Sequence, residues 1–144
     1  MKKYIWIVST ILCFIVSLSA GWAADFDGIK SLLVSVIRVN ECTPDGSCRQ
    51  VSPASIGLPQ FLKIDFANNK IIPAAAGDDT PPSIIERQEV VDRKLILQGA
   101  EDGYEKMRDG LGWTMAISQE TGQVVLTASG EQVAFVVFGA ALAL

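Results

Sequence analysis

Trp113-Thr114-Met115-Ala116-Ile117-Ser118, Glu120-Thr121-Gly122-Gln123 and Val124-Val125-Leu126-Thr127-Ala128-Ser129 are the stretches that decide the fold. Trp113, Met115 and Ile117 alternate with Thr114, Ala116 and Ser118, the period of a half-buried strand. The Glu120–Gln123 segment turns the chain. Val124, Leu126 and Ala128 then repeat the alternation, and Ser129-Gly130-Glu131 turns it again into Gln132–Phe138. This is a β-meander. Its last run, Val133–Phe138, is apolar on both faces, the pattern of a strand covered on both sides.

Upstream, the same signals recur. Leu32–Val39 is rich in β-branched residues. In Gln60–Phe66, Leu62, Ile64 and Phe66 share a face opposite Lys63 and Asp65, and Ala67-Asn68-Asn69-Lys70 is a tight turn into Ile71-Ile72. Ile84–Val91 and Lys94–Gln98 form a hairpin around Asp92-Arg93, with the poorly alternating first strand placed at an edge. Pro73–Pro82 is an exposed loop. Gly99–Gly112, with four glycines, is a second irregular region. The expectation is an all-β domain, a small antiparallel barrel or sandwich of about seven to eight strands ending in the meander. A barrel is favoured because closure removes exposed edges.

The start of the chain says where the protein goes. Met1-Lys2-Lys3, an apolar run from Tyr4 to Leu18 and the small residues before Ala24 follow the order of a secretory signal peptide. Cutting after Ala23 places Gly21 and Ala23 at the small-residue positions. The run of about 15 residues is shorter than the roughly 20 a spanning helix needs. The expected division is a signal peptide over residues 1–23 and one domain over residues 24–144, periplasmic or secreted, with no stable membrane insertion after cleavage. Trp22 stands where a lipoprotein would carry its cysteine. An outer-membrane barrel would need strands of about 9–11 residues with aromatic girdles, and these stretches are shorter and aromatic-poor.

Export also reads on the cysteines. Cys42 and Cys48 remain after cleavage, and an oxidising compartment makes a disulfide their default. Thr43-Pro44-Asp45-Gly46-Ser47 between them is a turn sequence. Without Lys2 and Lys3, the 12 basic residues fall to 10 against 16 acidic ones, a net charge of −6. Acidity of that size argues against nucleic acid, which requires a basic surface.

The chain has no histidine. That removes Ser-His-Asp and Cys-His nucleophilic sites and the main ligand of zinc and copper. Asp78-Asp79 and Glu101-Asp102 are the adjacent acidic pairs available to a hydrolase, but both fall in loop sequence where solvated charge is commonplace. Asp25-Phe26-Asp27-Gly28 lacks the remaining ligands of a calcium loop. No metal or cofactor is expected. Trp113 reads either as a core aromatic or as the wall of a ligand pocket. Tyr104, among glycines and charges, joins Asp78 and Asp79 as a contact candidate.

The signal peptide, the Glu41-Cys42 to Ser47-Cys48 turn, Leu58-Pro59-Gln60-Phe61, Gly112-Trp113 and Phe138-Gly139 together resemble a group of small exported bacterial proteins of unknown function. The resemblance spans most of the mature chain and implies no activity. Lipocalins are a looser comparison: their Gly-x-Trp motif lies early, whereas Gly112-Trp113 lacks the spacer and comes late. Periplasmic lysozyme inhibitors are similar in size, compartment and β content, without a motif matched to positions here. The expected function is an exported, non-enzymatic binding protein of the bacterial envelope. Its partner would be a small apolar ligand or an envelope protein. The alternatives are a hydrolase using loop carboxylates and a periplasmic inhibitor of a secreted enzyme.

Overall fold

A computed structural model of the chain describes residues 25–75, 77, 79–102 and 110–144. The leader with its cleavage point near Ala23, and also Asp78 and Tyr104, lie outside the described residues. The strands are β1 (Leu32–Cys42), β2 (Cys48–Val51), β3 (Phe61–Asp65), β4 (Lys70–Pro73), β5 (Ser83–Ile84), β6 (Arg87–Val91), β7 (Lys94–Glu101), β8 (Leu111–Ser118), β9 (Gln123–Ser129) and β10 (Ala134–Ala143), with a 3-10 turn at Pro53–Ile56. They form one antiparallel sheet in the order β5-β4-β3-β1-β10-β9-β8-β7-β6, curled into a half-barrel, with β2 beside β1. A sandwich would need two sheets; here there is one. The ten strands exceed the expected seven to eight for two reasons. Cys48–Val51 lacks alternating apolar residues, and Ile84–Val91 is divided between two neighbours.

That division brings the sheet's ends together. β5 pairs with β4 through Lys70–Ile84 and Ile71–Ser83, while β6 pairs with β7 from Arg87 to Val91. Between them, Ile85 N–H donates to the Asn69 carbonyl and Glu86 N–H to the Gln98 carbonyl, both at 2.9 Å. Ile85 is buried. The outermost strands of the curled sheet are thus consecutive pieces of one segment.

Alternation places the core as expected. Leu32, Val34, Leu62, Ile64, Leu95, Leu97, Trp113, Met115, Ile117 and Val124 all turn inward and are buried. In β1 the alternation breaks. Val36 and Val39 both point inward although three residues apart, because the register against β10 shifts between Val36 and Arg38. The extra residue, Ile37, is thrown outward and is exposed, which is how a bulge re-aims a strand.

The two hairpin turns read from sequence are formed. Asn69 adopts φ 52° after Phe66, and Asp92 and Arg93 adopt φ 46° and 58° between β6 and β7. The Asn68 side chain donates to Asp65 at 2.9 Å and holds that carboxyl below its ordinary value. β10 departs from expectation. Val137 is buried, but Phe138 and Leu142 on the opposite face are exposed, with Val125 beside Phe138 on β9. One side of β10 packs on the interior and no second layer covers the other among the described residues.

The two ends of the curl differ. At one, the segment preceding β1 folds over the opening: Phe26 packs against the core, Gln119 donates to the Phe26 carbonyl at 3.3 Å, and Gln88 donates to the Gly28 carbonyl at 3.1 Å. The same segment ties Asp25 to Lys30 at 3.1 Å, and Asp27 accepts from Ile29 N–H at 2.9 Å. These aspartates cap a local turn. Among the described residues no cluster of His, Cys, Asp and Glu is arranged to hold a metal.

Candidate functional site: a cavity at the open end

The other end is where β7 meets β8 at Glu101–Leu111, β9 meets β10 at Ser129–Ala134, and β1 meets β2 at Cys42–Cys48. Cys42 and Cys48 form the expected disulfide across this last pair. The turn it closes is densely bonded. Asp45 accepts from the Thr43 hydroxyl at 2.6 Å and from the Ser47 amide and hydroxyl at 3.0 and 2.8 Å. Those donors, the Thr43 hydroxyl first, stabilise the carboxylate and hold its pKa down to about 2. Arg49 and Glu41 pair at 2.7 Å on the same two strands.

Below this rim the half-barrel holds a cavity of about 540 Å³, inside the roughly 300–1,000 Å³ range of small-molecule sites. Its wall is mostly apolar. Leu62, Ile71, Trp113, Met115, Leu126 and Val137 line the interior, and Leu58 and Phe135 close in above them. Leu58 reaches the wall because of the 3-10 turn. Ser52 caps it through the Ser55 amide, Pro53 opens it, and Gly57 ends it at φ 68°, a conformation glycine takes freely. Among the described residues, the polar lining groups are Thr80, Ser83, Glu101 and Asp102.

Two buried polar atoms on this wall have no hydrogen-bond partner among the described residues: Trp113 Nε1 and Glu101 Oε1. The register relates them. Gly99 pairs with Trp113 and Glu101 with Leu111, so Glu101 and Trp113 are diagonal neighbours on the inward face of adjacent strands. Trp113 is 7% exposed, and its indole lies over Gly99.

Trp113 belongs to the buried core and also lines the cavity. Asp79 is exposed and is not among the lining residues, whereas its neighbours Thr80 and Pro81 are. Glu101 needs a correction, whereas Asp102 lies outside the strands. The Gly99–Gly112 stretch was expected to be irregular throughout, but β7 continues to Glu101 and β8 begins at Leu111. Glu101 is therefore an inward strand residue, not a loop carboxylate. The 3-10 turn escaped sequence reading altogether. Its signal was Ser52-Pro53 followed by Gly57, the start and stop marks of a short helical turn. The chain matches no protein-family model, no curated protein and no solved structure.

Proposed function

We propose that this is an exported, non-enzymatic binding protein of the bacterial envelope that holds a small apolar ligand in the cavity at the open end of its sheet. The observation that carries the reading is the cavity itself: about 540 Å³, walled by aliphatic and aromatic side chains, with few polar groups. Such a wall left to water is costly, and an apolar occupant removes that cost. We read the curled sheet as a barrel closed through Ser83–Val91, which gives the cavity continuous walls. The signal-like leader and the disulfide support an oxidising compartment.

A hydrolase reading would assign Glu101 and Asp102 as acid and base. The binding reading needs no turnover. Native mass spectrometry on protein gently isolated from its host's envelope tests the proposal. Extra mass that leaves on denaturation is the expected result. A bare protein that also takes up no apolar probe would overturn it.

A further inference from the structure

The cavity lies on one side of β10, and the other side of that strand is an apolar stripe. Val136, Phe138, Ala140 and Leu142 face outward along it. Phe138 is 41% and Leu142 63% exposed, with Val125 of β9 paired beside Phe138 and Leu33 of β1 beside Leu142. The chain holds 16 acidic residues, yet β1, β9 and β10 contain a single one, Glu41. It sits opposite Phe135, which lines the cavity, and so belongs to the inward side. In an acidic protein this is a face on which two copies meet without opposing carboxylates.

The stripe also fits itself. Ala140 is a hollow between the larger Phe138 and Leu142, and a contact between identical subunits requires a self-complementary patch. We infer that this face pairs with a second copy of the chain, β10 stacked antiparallel on β10 about a two-fold axis over Gly139. Phe138 then fills the hollow at Ala140 of the second copy and Val136 meets Leu142, each contact made twice. Sheets stacked in this way lie about 10 Å apart. The flanking strand fits as well. Arg38 is paired with Phe138 and Ser35 with Ala140, so Arg38 of one copy lies over Ser35 of the other. Phe61 is paired with that serine and is 47% exposed, and its ring receives the guanidinium as a cation–π contact. A lipid surface suits the face less. Asn40 and Thr127 flank Val136 on either side, and hydrocarbon offers their side chains no hydrogen-bond partner. Because the axis runs across the strands, the two cavity mouths point in opposite directions and stay open.

Sedimentation velocity over a dilution series, on protein isolated from its host's envelope, tests this independently of what the cavity holds. A reversible dimer is expected, since three or four strands make a small interface. Phe138→Lys should weaken it by at least about a hundredfold, because each dimer loses two central aromatic contacts. Leu142→Lys repeats the test at a more exposed position, and Val90→Lys, exposed on β6, should leave the dimer intact. Phe138→Ala alone should weaken the dimer, and adding Ala140→Phe should restore it by exchanging knob and hollow. A monomer at every concentration would overturn the inference. A dimer indifferent to Phe138→Lys and Leu142→Lys, or one dissociated by Val90→Lys, would overturn it too. So would a double variant that keeps its circular dichroism and stays as weak as Phe138→Ala. A monomer that co-sediments with vesicles of phosphatidylethanolamine and phosphatidylglycerol in equal parts would assign the face to lipid instead.

Discussion

Gly99 lies directly across from Trp113, and the indole occupies the space a side chain at Gly99 would need. A Cβ built there would press on the Ile84 carbonyl oxygen and lie 2.5 Å from Trp113 Cζ2. The glycine is thus a seat for the ring. It lets the largest side chain of the wall lie flat across two strands while Ile84, on the segment that joins the sheet's ends, comes in behind.

Gly99→Ala should therefore destabilise the fold by about 1–3 kcal/mol, the usual cost of inserting a methyl into packed space. Urea denaturation measures it. The Trp113 near-ultraviolet signal should change as the ring is pushed aside. An unchanged midpoint would mean the ring moves away at no cost.

The disulfide hairpin gives a second expectation. Replacing both Cys42 and Cys48 by Ser should lower stability by about 2.4 kcal/mol, the chain-entropy value for so short a loop. The comparison is denaturation of the two proteins under non-reducing conditions. Equal midpoints would show that the hydrogen bonds around Asp45 hold the turn unaided.

Asp45 sets a pH dependence. Its native pKa, about 2, lies below its ordinary 3.8, so folding favours the ionised form. The stabilisation is fully present above 3.8 and fades as pH falls through about 2. Thr43→Ala removes the largest contributor, and an NMR titration should then find the Asp45 carboxyl nearer 3.8. A titration unchanged by the substitution would assign the depression to Ser47 alone.

The β6–β7 turn holds Asp92 and Arg93 at positive φ, a conformation that costs most side chains roughly 1–2 kcal/mol each. Asp92→Asn with Arg93→Gly supplies the pair such turns prefer. It should raise stability by about 0.5–1 kcal/mol, because the Arg93–Glu120 ion pair it removes is exposed and contributes little. Differential scanning calorimetry reads the change, and a lower melting temperature would give that ion pair a larger share than its exposure suggests.

Residues whose environment is set by their own strand were legible in the sequence. Leu62, Ile64 and Phe66, and Trp113, Met115 and Ile117, needed only alternation to be placed inward. What depended on another strand was not legible. Gly99 looked like a breaker because its reason for being small, the Trp113 ring, lies on β8. Glu101 was read as a loop acid for the same cause. Val133–Phe138 suggested a covered strand, since hydropathy records what a residue favours and not whether a second layer exists to meet it. Cys48–Val51 joined the sheet through backbone bonds to β1, a pairing that side-chain pattern does not encode.

The pairing of β1 with β10 has a consequence in time. Along that one seam, Leu32–Cys42 meets Ala134–Ala143, joining β3, β4 and β5 on one side to β6–β9 on the other. A nascent chain leaves the ribosome with β1 first and β10 last, so the strand that started the sheet waits for about a hundred residues to emerge before its main partner exists. For a chain exported as proposed here, that order acts as a delay. The polypeptide stays threadable through a translocation pore until β10 has been made, and the sheet locks only once that strand arrives on the far side.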